Sequence, residues 1–154
     1  MSALEAGSGS PLQAKPAYDA ARRAHGSCMV CGDPGCNADS LGLSFVQDGE
    51  GGVSSLFTAL PRHQGYDGLL HGGMICTVLD AAMVHCLFAQ GVCALTAEMT
   101  VRFVAPVEVG QQVTIAAGFV EKRHGIYRVA ASVRCNRQVF ARASAKFIEP
   151  KSVR

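Results

Sequence analysis

The amino-acid sequence predicts an α+β domain in which one long helix is enclosed by a curled antiparallel sheet of about five to six strands. Two observations carry this expectation. The stretch "GLLHGGMICTVLDAAMVHCLF", Gly68 to Phe88, is apolar on every side when wound at about 100° per residue, and a helix apolar all round requires cover all round. After it, four segments alternate apolar and polar residues and are joined by short turns, the pattern of an antiparallel meander.

The elements follow in order. Residues 1–16 are rich in Gly, Ser, Ala and Pro and are expected to be a flexible tail. Residues 17–40 hold a short helix, "AYDAARRAH", ending at Gly26, and a Cys-rich loop. The main domain is expected over 41–150. Its first two strands are "LGLSFVQDG" and "GVSSLFTAL", separated by the turn Asp48-Gly49-Glu50-Gly51-Gly52. The loop "PRHQGYDGLL" leads into the helix. In 95–104, Leu95, Ala97, Met99, Val101 and Phe103 alternate with Thr96, Glu98, Thr100 and Arg102, which predicts a strand with one buried face. Further strands follow around Val113–Phe119, Tyr127–Cys135 and Val139–Phe147. They turn at Lys122–Gly125 and at Asn136-Arg137. Alanines in the last strand allow close approach of sheet to helix.

Composition excludes several function classes. A chain of 154 residues, 49% hydrophobic and 17% charged, fits one globular domain with a substantial core. A net charge of +2 is too small for a nucleic-acid surface. The most apolar segment is shorter than the ~20 residues needed to cross a bilayer and is interrupted by Asp80 and His85. The opening residues lack the basic start and apolar stretch of a secretory signal. The seven cysteines are an odd number, and Cys76, Cys86, Cys93 and Cys135 sit in apolar runs, which points to free thiols in a reducing cytoplasm.

Asp80 is the residue that departs from its surroundings. It lies about two turns into the helix, beyond reach of the dipole at the helix start. An unpaired buried carboxylate costs several kcal/mol or shifts its pKa, so the position is either held by a salt bridge, to Arg102 or Arg128, or kept for chemistry. Thr77 shares its face and is a candidate hydrogen-bond partner. At the helix start, Gly72 and Gly73 form a close-packed joint or present backbone N–H groups to an oxyanion. His71 is read as the residue that orders the entry to the helix.

These motifs, "HGGMICTVLDAAM" followed by "TAEMTVRFVAPVEVGQQV", resemble the hotdog-fold acyl-CoA thioesterases of the phenylacetate-pathway (PaaI-like) type, over about residues 41–149. The resemblance implies the fold derived above. It also implies that the Gly72 N–H donates to the thioester carbonyl, that Asp80 acts as general base or nucleophile, and that Thr96 helps place the attacking water. His71, Gly73, Gln64 and Thr77 are the implied substrate-binding set. Some relatives carry an Asn shortly before the HGG motif. Gly65 stands at that offset here, and Gln64 is its candidate substitute.

One constraint is purely geometric. Gly72 and Asp80 are separated by roughly 12 Å along a helix rising ~1.5 Å per residue. Both must lie within about 3–4 Å of one reacting carbonyl group, which one helix hardly permits. Two chains permit it if one helix start lies beside the middle of the other, so a homodimer or dimer of dimers is expected.

The loop "HGSCMVCGDPGC" places His25, Cys28, Cys31 and Cys36 in a chemically possible four-ligand zinc set. The second Cys-x2-Cys pair of common zinc motifs is missing, and the expectation is a packed loop without metal. No cofactor is expected. The leading function is hydrolysis of an acyl-CoA to free acid and CoA. The alternative is a non-catalytic acyl-CoA-binding or regulatory module on the same fold. An acyl dehydratase is a third reading, disfavoured because His71 followed by Gly-Gly does not set a His beside a carboxylate. Met83, Leu87 and Phe103 are candidate pocket residues, and Lys122-Arg123-His124 is a candidate anchor for CoA phosphates.

Overall fold

The structure, a computed structural model, describes residues 16–151. The tail expected over 1–16 lies outside these except for Pro16, which opens α1 (Pro16–Arg22). A 3-10 turn at Arg23–His25 extends this helix to the residue before Gly26. The remaining elements are β1 (Val46–Gln47), β2 (Gly52–Thr58), α2 (Gly72–Phe88), β3 (Leu95–Phe103), β4 (Gln112–Arg123), β5 (Ile126–Cys135) and β6 (Gln138–Ile148). The six strands form one antiparallel sheet in the order β1-β2-β4-β5-β6-β3.

The sheet curls around α2, whose residues Val78, Leu79, Ala82, Met83, Cys86 and Leu87 lie in one core cluster with Val113, Ile115, Val129, Val133 and Phe147. Helix and sheet approach closely because a row of small residues crosses the sheet. Ala117 pairs with Ala131, and Ala131 with Ala143, all three facing the core. The β4–β5 hairpin turns on His124 and Gly125, both at positive φ, as a two-residue turn matched to the twist of the strands requires.

Two expectations change. The strand expected over 41–49 is reduced to Val46–Gln47. Its first part is held elsewhere, because the Leu41 and Leu43 N–H groups donate to the Met29 and Val30 carbonyls of the Cys-rich loop. The helix is not covered on all sides either. From Ala81 to Ala89 every residue is buried, but Gly73, Cys76, Thr77 and Asp80 remain partly open. At spacings of three and four residues these fall on one stripe, which ends at Asp80.

His85 is 1% exposed, with its ring stacked on Phe45 at 4.3 Å and its Nδ1 2.7 Å from the Tyr18 hydroxyl. Burial, followed by the His25 and Arg22 charges, pushes its pKa down to about 3. The unfolded chain takes up this proton below pH 6.5, whereas the folded chain resists it until about 3. Stability is therefore lost as the pH falls through this window, by up to about 1.4 kcal/mol per pH unit. Urea unfolding at pH 7 and pH 5 is expected to show this loss, and His85→Gln, which keeps a polar partner for Tyr18, is expected to show a smaller one.

Candidate active site

The start of α2 is built by His71. Its backbone N–H donates to the His63 carbonyl, and its carbonyl accepts from the Met74 and Ile75 N–H groups. Its Nδ1 accepts the Gly73 N–H at 2.8 Å, a side-chain N-cap. A Cβ on Gly73 would sit 3.0 Å from that Nδ1, and a Cβ on Gly65 would sit 3.0 Å from the His71 Cδ2. The imidazole is thus packed between two glycines, and Gly65 is small because a side chain there would press on His71. Gln64 folds back on its own loop, with Oε1 accepting the Gly68 N–H at 3.0 Å.

The consequence is selective. Gly73, Met74 and Ile75 have their N–H groups committed, while the Gly72 N–H has no partner among the described residues. This one donor points out of a positive helix end, as an oxyanion site requires. It opens beside a cleft of about 570 Å³ lined by Gln64, Gly65, Tyr66, Leu70, His71 and Gly72. The Phe103 ring lies over Gly72, 3.5 Å from where a Cβ would stand. Gly73 is a capping partner, not a second free donor.

Two turns along, the Thr96 hydroxyl donates to Asp80 Oδ1 at 2.6 Å. Strict alternation along β3 puts Thr96 on the solvent side, and the structure reverses this through a bulge. Thr96 pairs with Phe147 and Glu98 with Lys146, so Ala97 is the extra residue. Thr96 consequently shares the helix-facing side with Phe147, while Leu95 turns outward and is 64% exposed.

Asp80 is half-buried rather than enclosed, and it has no ion pair among the described residues. Arg128 pairs with Glu121 instead. Thr77 is not its partner, because that hydroxyl donates to the Gly73 carbonyl one turn back. A carboxylate with Oδ1 held by a hydroxyl keeps Oδ2 available, and Oδ2 has no partner among the described residues. The carboxylate is also felt at His25, where its charge opposes the dominant effect of burial, which lowers the imidazole's pKa.

The remaining candidates separate from this region or change role. Met83 and Leu87 are enclosed in the core. Lys122 extends over the Tyr127 ring, 4.7 Å from its centroid. The proposed four-ligand set does not assemble: His25, Cys28 and Cys31 lie together, and Cys36 is exposed outside the group. Sequence reasoning missed His63, which is buried, tilted against Phe57 at 5.3 Å and the acceptor for the His71 N–H. Its signal was its place in the loop two residues after a proline, which is weak.

A single helix enclosed by a curled antiparallel sheet, with a glycine-rich helix start and an acidic residue at mid-helix, defines a hotdog-fold protein. Residues 67–134 match the model of the thioesterase superfamily. It is 35% identical over 80 residues to the bovine (Bos taurus) protein acyl-coenzyme A thioesterase THEM4, a match covering 50% of this chain and 32% of that protein. The chain thus spans about a third of the curated relative it matches. Among solved structures, the E. coli PaaI protein from the phenylacetic acid degradation operon superposes with a TM-score of 0.67 at 18% identity, covering 86% of this chain and 89% of that one. A Streptococcus mutans protein bound to acetyl CoA superposes with a TM-score of 0.64 at 20% identity, covering 69% and 86%.

Proposed function

We propose that the chain hydrolyses an acyl-CoA thioester to the free acid and CoA, with the reacting groups drawn from two copies of the chain. The Thr96–Asp80 contact carries this reading. A bulge that turns a strand hydroxyl onto a mid-helix carboxylate leaves that carboxylate with one oxygen fixed and the other free. The free oxygen takes a proton from water as the water adds to the thioester carbonyl, or attacks that carbon itself. The developing oxyanion accepts the Gly72 N–H, and the tetrahedral intermediate collapses by expelling the CoA thiolate, which then takes up a proton; where the carboxylate itself attacks, water then hydrolyses the resulting mixed anhydride to the free acid and restores Asp80. The match of residues 67–134 to the thioesterase-superfamily model supports the chemistry, and the bovine acyl-coenzyme A thioesterase and the acetyl-CoA-bound neighbour support the substrate class.

The homodimer is supported by what one chain leaves open. β3 is an edge strand whose free side carries unpaired backbone groups, and Leu95, Phe103 and Val104 beside it are exposed. The open stripe of α2 ends at Asp80, where a second chain would bring its Gly72. No helix among the described residues is long and apolar enough to cross a membrane, and the free state of all seven cysteines fits a reducing compartment. The discriminating measurement is thiol release from a panel of acyl-CoAs of increasing chain length and aromaticity. Turnover of at least one class is expected. Saturable binding across the panel without thiol release would favour the non-catalytic module.

A further inference from the structure

We propose that His25, Cys28 and Cys31 form a three-ligand zinc site with an open fourth position. Spacing along the chain admits a four-ligand set that includes Cys36 but lacks the second Cys-x2-Cys pair of common zinc motifs. The structure presents a different set. The Nδ1 of His25 stands 3.6 Å from the Cys31 Sγ, and ligand atoms of all three residues lie within 4.8 Å of one another. Around tetrahedral zinc, with Zn–S of about 2.3 Å and Zn–N of about 2.05 Å, neighbouring N and S ligands stand about 3.5 Å apart and two S ligands about 3.8 Å. One edge is already at the metal distance, and the others close by at most about 1.3 Å.

The backbone around the thiols is shaped for this arrangement. In "CMVCG", the Gly32 N–H donates to the Cys28 carbonyl at 2.8 Å, and a Cβ at Gly32 would collide with the Cys28 backbone N and O. The turn therefore closes only with glycine, and it sets both sulfurs on the same side. The Val30 N–H donates to the Cys28 Sγ at 3.4 Å and fixes the position of that sulfur.

The frame is tied down from outside. The Cys28 N–H donates to the His25 carbonyl, the Asp33 N–H to the Gly26 carbonyl, and Leu41 and Leu43 clamp the far side of the turn. The His25 ring packs edge-on against Phe88 at 5.0 Å, which anchors the loop to the end of α2. A mixed imidazole and thiolate donor set suits zinc. Binding releases the two thiol protons to solvent, and two thiolates with Zn²⁺ make a neutral centre. With three protein ligands, water or an exogenous donor completes the tetrahedron.

The test uses the full chain, stripped with chelator under reducing conditions, reconstituted with zinc and desalted. One zinc per chain by elemental analysis is the expected result, together with a higher melting temperature than the stripped protein. Cobalt(II) in place of zinc is expected to give thiolate-to-metal charge-transfer absorption. Cys28→Ser, at a half-buried position that tolerates the change, should weaken zinc affinity at least about tenfold and remove that absorption, and His25→Ala should weaken affinity likewise. Cys36→Ser should match wild type. Wild type that retains no zinc, equal retention in Cys28→Ser, or a loss in Cys36→Ser as large as that in Cys28→Ser would each overturn the proposal. So would a Cys28–Cys31 disulfide that persists under the reducing conditions.

Discussion

Asp80→Asn is expected to lower thioester hydrolysis by at least about 10²-fold, the usual cost of losing a positioned base or nucleophile. Asparagine has the size of aspartate, and its Oδ1 still accepts the Thr96 hydroxyl that now meets Asp80 at 2.6 Å. What is lost is the second carboxylate oxygen, which can take a proton or attack carbon. No ion pair is broken among the described residues, and the site is only half-buried. The variant should therefore melt within a few degrees of wild type while kcat/KM falls. An Asp80→Asn protein that keeps most of its activity would remove Asp80 from the mechanism. One that unfolds would make the Asp80–Thr96 pair a structural contact.

A larger contrast is expected from mixing two inactive variants. Gly72→Pro deletes the one N–H at the helix start that has no partner among the described residues. The local structure accepts proline. Gly72 is the first residue of α2, where proline's fixed φ is tolerated, and His71 before it has ψ 133°, the conformation a residue before proline prefers. A Cβ there meets the Phe103 ring at 3.5 Å, ordinary contact. Gly72→Pro and Asp80→Asn homodimers should each be nearly dead. Co-refolded in equal amounts, about half the dimers are mixed, and each mixed dimer has one site with both lesions and one with neither. Activity should return to about one quarter of wild type by this symmetry. Mixed dimers that are demonstrably present yet inactive would show that each site is built within one chain.

Much of this protein is legible along the chain because the signals are local and periodic. The apolar run from Met74 to Phe88 demands an enclosing sheet. The alternation from Val113 to Phe147 supplies one, and His71-Gly72-Gly73 marks where the helix begins. Asp80 stands out because a carboxylate in such a run is costly. The eight-residue spacing from Gly72 to Asp80 is what raises the expectation of a site built from two chains.

What the tertiary structure alone decides are competitions between partners. Alternation assigns Thr96 to solvent, and only its pairing with Phe147 reveals that Ala97 is a bulge that turns the hydroxyl onto Asp80. Gly72 and Gly73 are equivalent donors as letters. They differ because the His71 ring takes the Gly73 N–H and leaves the other free. Thr77 lies on the right helical face for Asp80, but its hydroxyl is captured one turn back by the Gly73 carbonyl. In the Cys-rich loop, spacing admits four ligands, and the turn closed by Gly32 gathers three. A period reports which side of an element a residue occupies. It does not report which of two nearby acceptors wins a hydrogen, because that depends on a few tenths of an ångström set by the rest of the fold.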